Sequence, residues 1–138
     1  MLTKMEIAAD LYCSIFNCGQ AIFGAFAEDY GLDKEMALKI GGGLSSGMRS
    51  GEVCGAVAGA VLVIGLKYGH MKRYCYERTE EFTAKFREAN KHLACRDLLG
   101  YDISTPEGRE RAIEENAFRT VCVDMVKSAA EILVELGY

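Results

Sequence analysis

Proline is nearly absent from this 138-residue chain, with Pro106 its sole example. Long stretches also run without the Asn-Gly or Asp-Gly pairs that close hairpins, so the composition argues for helices over strands. No block of like charge occurs and the net charge is −4. A nucleic-acid partner needs a basic footprint to meet phosphates, so none is expected. The longest apolar run, 53–66, falls short of the roughly 20 residues that cross a bilayer and is interrupted by glycine. No membrane insertion is expected. Glu6 and Asp10 interrupt the first apolar stretch, where a secretory leader would need an uncharged segment, so the chain is expected to be cytoplasmic. Only two histidines are present, His70 and His92, and both read as ordinary exposed or core residues. No Ser-His-Asp constellation can be argued from them.

Half of the residues are apolar and about a quarter charged, a balance suited to one domain over 1–138 with a real core. Thr3 and Glu6 form a capping-box pattern. Behind it, Ile7, Leu11, Ile15, Ile22 and Phe26 recur at helical spacing, which predicts one helix ending near Gly31. Asp33 caps a shorter helix through Ile40, which Gly41, Gly42 and Gly43 end. Residues 44–51 carry the strongest loop signal. A central helix is predicted over 52–68, a charged one over 71–94 and a further turn over 95–99. A last helix starts at Thr105-Pro106 and runs to about Leu136. The expectation is an all-α bundle of about five helices.

Glu80-Glu81 and Glu114-Glu115 read as solvated faces, and Lys72-Arg73 and Arg109-Arg111 as surface charge balanced by Glu77 and Glu107. Gly41-Gly42-Gly43 invites comparison with a phosphate cradle, but no strand precedes it and the Gly-Lys-Ser ending of a Walker loop is missing. Gly55 and Gly59, with Ala56 and Ala60, give the central helix a stripe of small residues. Such a stripe admits another helix backbone or makes room around a bound group. Together with the run Ile132-Leu133-Val134, it also raises a homodimer as a possibility.

Six cysteines remain: Cys13, Cys18, Cys54, Cys75, Cys95 and Cys122. In a reducing compartment they point to metal, cluster or redox use, or to packing. Cys54 has the most reactive context. It falls at the start of the central helix, whose positive end is expected to lower the thiol pKa, and Gly55 beside it leaves the sulfur open.

The segment Cys54-Gly55-Ala56-Val57-Ala58-Gly59 resembles the signature of the redox-active protein family named for its cysteine pattern, C_GCAxxG_C_C. Within that resemblance the first family cysteine matches Cys18, in Asn17-Cys18-Gly19-Gln20-Ala21. The upstream glycines match Gly41-Gly42-Gly43 and Gly47, and Leu66-Lys67-Tyr68-Gly69 is similar too. The two later cysteines correspond to Cys95 and Cys122. The resemblance covers nearly the whole chain. It implies redox activity, and a related domain of split-Soret cytochromes carries an iron–sulfur centre. Covalent haem is not expected, because no Cys-x-x-Cys-His motif occurs. Cys13 and Cys75 fall outside the pattern and read as packing or surface residues.

The resemblance thus implies a redox or metal centre at Cys18, Cys54, Cys95 and Cys122, with Gly55 and Gly59 lining it. Four thiolates suffice for an iron–sulfur cluster, the leading cofactor, or for zinc. A dithiol–disulfide pair without cofactor is the other redox form. All four lie far apart in sequence, so a site forms only once the helices have packed. The function expected is electron transfer or thiol redox chemistry with an unidentified redox partner. The alternative is a non-catalytic helical binding module whose cysteines hold structural metal or pack.

Overall fold

The structure, a computed structural model, describes residues 1–138. It holds eight α-helices and no strand: α1 (Lys4–Cys13), α2 (Cys18–Phe26), α3 (Lys34–Ile40), α4 (Gly55–Tyr68), α5 (Lys72–Asn90), α6 (Cys95–Leu99), α7 (Pro106–Glu114) and α8 (Val121–Glu135). The all-α expectation holds, and the count of about five is low because two of the expected helices are each split and the turn at Cys95–Leu99 stands as a helix of its own.

The first split falls between α1 and α2. Helical spacing continues across it, but Asn17 caps a new helix: its Oδ1 accepts from the Gln20 amide at 2.8 Å, and Gln20 Oε1 accepts from the Asn17 amide at 2.9 Å. This reciprocal box satisfies two otherwise orphaned donors and outweighs continuation of α1. Ile15, read as part of a buried stripe, is left 88 % exposed in the connection. The second split falls between α7 and α8. Asn116 takes a left-handed conformation there (φ 59°), which asparagine tolerates better than most residues. A short 3₁₀ turn, Ala117–Arg119, then redirects the chain into α8.

α2 is buried along most of its length and forms the centre of the bundle, packed against α1, α3, α4 and α8. Phe26, Phe82, Phe86, Ile22, Ile64 and Leu133 are fully buried in the main core. A second, smaller apolar cluster gathers Cys95, Leu99, Ile103, Ala112 and Ala117. The small-residue stripe is used inside the chain: Gly59 lies against Gly19 of α2, so that any side chain there would meet the Gly19 carbonyl. Ile132 and Leu133 are buried as well, and only Val134 of that run is exposed.

The start of α2 is also tied to the end of α3. Asn17 Nδ2 donates to the Gly42 carbonyl at 3.1 Å, and Gln20 Nε2 donates to the Leu38 carbonyl at 2.8 Å. Asn17→Ala should therefore destabilise the protein by about 1–2 kcal/mol, the upper range for a lost helix cap. Urea unfolding monitored by circular dichroism checks this, and an unchanged midpoint would remove the capping box as the cause of the first split.

Candidate functional site

Each of the four motif cysteines stands at the start of a helix. Cys18 is the first residue of α2, Cys54 caps α4, Cys95 is the first residue of α6 and Cys122 is the second residue of α8. All four line one cavity of about 30 Å³, room for little more than a water molecule. Its wall is completed by Tyr12, Ser45, Ser46, Gly55, Phe118 and Met125. The structure thus brings together Cys18, Cys54, Cys95, Cys122 and Gly55. It leaves off the wall Gly59, which is engaged with Gly19, and also Cys13 and Cys75. Cys13 is exposed, and Cys75 is half-buried against the main core.

Cys54 and Cys95 are fixed by backbone. Val53 and Ala94 form an isolated antiparallel bridge, in which the Cys54 amide donates to the Leu93 carbonyl and the Cys95 amide to the Glu52 carbonyl. Arg96 reinforces it. Its guanidinium donates to the carbonyls of Ser50 and Gly51 and to the Glu52 carboxylate, at 3.1, 3.0 and 2.6 Å. The central helix therefore begins at Gly55 and not near Glu52, because residues 52–54 are held extended by this pairing.

Cys18 reaches the same point through Gly55. A side chain at position 55 would collide with the Cys18 sulfur, so the missing methyl is what lets α2 and α4 place their sulfurs side by side. Cys122 arrives on α8, next to Tyr12. The Tyr12 hydroxyl donates to the Phe118 carbonyl at 2.7 Å, joining α1 to the turn before α8.

Over the cavity lies a strained loop. Ser46, Gly47, Met48 and Arg49 all have φ between 55° and 61°, a left-handed turn. Non-glycine residues avoid this region at a cost of about 1–2 kcal/mol each. Gly47 is suited to it, whereas Ser46, Met48 and Arg49 are not. Strain of this kind gathers where a particular backbone path is required.

Electrostatics correct one expectation. The helix start was expected to lower the Cys54 pKa, and the amides of Ala56 and Val57 do favour its thiolate. Burial outweighs them and raises it, with only 7 % of the residue exposed. Burial likewise raises Cys18 well above the ordinary thiol range, with the neighbouring thiols adding to it. Cys95 is pushed up to about 12 by burial and by Cys54 and Cys122. Burial pushes Cys122 up to about 11, against the favourable effect of Tyr12. Left to themselves, the four groups are neutral thiols at physiological pH. No three of them stand in the arrangement that holds a single metal ion.

Tyr12, Ser45, Ser46, Phe118 and Met125 were not anticipated as site residues. Ser45 and Ser46 belong to the loop that the sequence marked strongly. Tyr12 carried no signal, because it reaches the cavity only after the break at residues 14–17 turns α1 back along α2.

A family model described as "Putative redox-active protein (C_GCAxxG_C_C)" matches residues 16–136. No curated protein and no solved structure matches the chain.

Two outcomes follow for the metal-free, reduced protein. Iodoacetamide at pH 8 should alkylate exposed Cys13 first and the four cavity cysteines far more slowly, read by peptide mass spectrometry. Stability should also fall as pH rises past the ordinary thiol value near 9. The unfolded chain loses its thiol protons there while the folded one keeps them until about 11–12. Urea unfolding between pH 7 and 10.5 measures this. Rapid alkylation of Cys54 or a flat profile would contradict the burial argument.

Proposed function

Because the chain belongs to the C_GCAxxG_C_C family, we propose that Cys18, Cys54, Cys95 and Cys122 form a redox centre that holds an iron–sulfur cluster. One observation carries the reading: four cysteines separated by 36, 41 and 27 positions line a single cavity, each at a helix start.

The donor set fits. Four thiols packed in an apolar wall resist ionisation one by one, and a bound cation reverses that balance by deprotonating its ligands outright. The amide of Gly19 is placed to donate to the Cys18 sulfur, and those of Ala56 and Val57 to the Cys54 sulfur, which favours negative charge there. Phe118 and Met125 limit water at the centre, a further influence on potential. Zinc at about 2.3 Å from each ligand needs sulfurs gathered within about 4 Å of one another. A cluster spreads its ligands more widely than a single zinc ion does. The cavity is small, so loading requires the four side chains to open. When bound, the cluster supplies one-electron transfer. The chain's own contribution is to anchor the thiolates, exclude solvent and hold Tyr12 beside Cys122.

A second reading is favoured by the Val53–Ala94 bridge, which holds the segments carrying Cys54 and Cys95 together at the cavity they both line. In it, two thiols become a disulfide by exchange with a partner's disulfide, which takes up the two electrons and two protons and leaves as a dithiol, with no cofactor.

Anaerobic reconstitution with ferrous iron and sulfide separates these readings. The cluster reading expects a brown protein with matching iron and sulfide, whose colour is lost in Cys54→Ser and kept in Cys75→Ser while both remain helical. A colourless, metal-free protein whose free-thiol count changes with redox potential establishes the dithiol instead. A colourless protein with stoichiometric zinc overturns both in favour of a structural metal.

A further inference from the structure

Beside the cysteine cavity, and sharing Tyr12, Ser45, Ser46 and Phe118 with it, lies an open groove of about 590 Å³. Its charge is one-sided. Arg49 enters from the left-handed loop, Arg109 from α7 and Arg119 from the turn before α8, and no carboxylate lines it. This stands out in a chain whose net charge is −4. None of the three arginines has a carboxylate within 4.0 Å; the ion pairs of the molecule are Lys4–Asp29, Lys39–Glu35, Arg78–Glu81 and Arg96–Glu52. Arg109 is thus not balanced by Glu107 as the sequence suggested. It donates to the Ile103 carbonyl at 3.2 Å, and Arg49 donates to Ser46 Oγ at 3.2 Å. A guanidinium carries five N–H donors, so most remain available to a ligand. Glu110 and Glu114 border a neighbouring hollow on the other side of Arg109 and Ile113.

The groove is also apolar in part. Ile15 is 88 % exposed and Ile113 61 % exposed, both facing this one depression. Large side chains left in water beside unpaired arginines are a poor solution for a surface with no ligand. The volume lies within the range of small-molecule sites. The three arginines come from separate segments and line the same groove, and guanidinium groups are well suited to carboxylate or phosphate.

We propose that this groove binds a small amphiphilic anion, a carboxylate or phosphate carried on an apolar body, against the mouth of the cysteine cavity. Arg49, Arg109 and Arg119 hold the charge, and Ile15 and Ile113 cover the body. Arg49 is set by the strained turn that also supplies Ser46 to the cavity wall, so the loop joins the two sites. The assignment would give the redox centre proposed above its substrate class. Binding is read without turnover, so it can fail while the cysteine reading stands.

The probe is 8-anilinonaphthalene-1-sulfonate, an anion on an aromatic body, titrated by fluorescence and calorimetry into the full chain. The expected result is one site per chain whose affinity falls with added salt. The triple variant Arg49→Gln/Arg109→Gln/Arg119→Gln should bind at least about tenfold more weakly. Arg73→Gln on α5, outside the groove, should bind like the parent. Bound probe should slow alkylation of Cys13, which lies on the groove wall. Should the triple variant lose its helical circular dichroism, Arg119→Gln alone serves, because that side chain makes no hydrogen bond within the chain. Equal affinity in the arginine variants, or equal affinity for the uncharged N-phenyl-1-naphthylamine, would overturn the proposal. So would displacement of the probe by a glutamate-rich peptide at lower concentration than the probe's own, which would point to an acidic protein partner.

Discussion

Gly19 of α2 and Gly59 of α4 meet with no side chain between them, and one turn away Gly55 faces the Cys18 sulfur across the same crossing. The rest of the site depends on this contact. Glycine within a helix costs about 1 kcal/mol against alanine, and α4 carries it at 55, 59 and 65. At 55 and 59 the offset is close approach of two helices whose starts both point at one cavity. A methyl at either position would push α2 from α4 and separate Cys18 from Cys54. The small-residue stripe therefore has two roles along one helix: Gly59 serves packing, and Gly55 serves the sulfur.

Around that crossing two electrostatic effects oppose each other. Helix starts surround the centre, and the amides at the starts of α2 and α4 donate to sulfur, which favours negative charge there. Apolar packing and the mutual repulsion of sulfur charges disfavour it, and they prevail for the bare thiols. A centre so arranged is a poor open nucleophile but a suitable host for a cation-bearing group. With the proposed cluster bound, the helix starts would stabilise the thiolate charge that its cations make possible. The same argument explains why Cys54 resembles an activated thiol in sequence and does not behave as one in the fold. Its local context is favourable, and its burial, set by residues distant in sequence, is not.

Much of the fold was legible because its helix boundaries are written in short-range chemistry. Asp33 before α3, Thr105-Pro106 before α7 and the turn at Cys95–Leu99 stand where their local signals put them. The misread boundaries have local causes too. Asn17 with Gln20 is a capping box, but apolar spacing across it favoured continuity. Asn116 is a left-handed stop with no glycine beside it in the sequence. The cysteine set was legible through the family pattern, since nothing in the spacing of 18, 54, 95 and 122 implies proximity. Tyr12 and the arginine groove were not legible. Their positions are set by how α1 turns back and how α7 meets α8, which no local pattern encodes.

The distribution of the cysteines between the two apolar clusters has a consequence for stability. Cys54 belongs to the main core and Cys18 packs on it, whereas Cys95 belongs to the smaller cluster and Cys122 packs there. The polar ties between the smaller cluster and the larger one include the Val53–Ala94 bridge, the Arg96 hydrogen bonds and the Tyr12 hydroxyl on the Phe118 carbonyl. Any bond network joining the four sulfurs, whether a cluster, a metal or a disulfide, would staple one apolar cluster to the other. Ligand binding to a folded state adds directly to its stability. The chemistry of the centre and the docking of α6 and α7 onto the bundle are then one equilibrium. That equilibrium also sets the groove, because Arg109 and Ile113 ride on α7 while Ile15 and Arg49 belong to the connections beside α2. A change at the sulfurs that shifted the smaller cluster would move two walls of the groove relative to the others. Under both proposals, cavity and groove would be coupled by the packing itself, since Tyr12, Ser45, Ser46 and Phe118 line both.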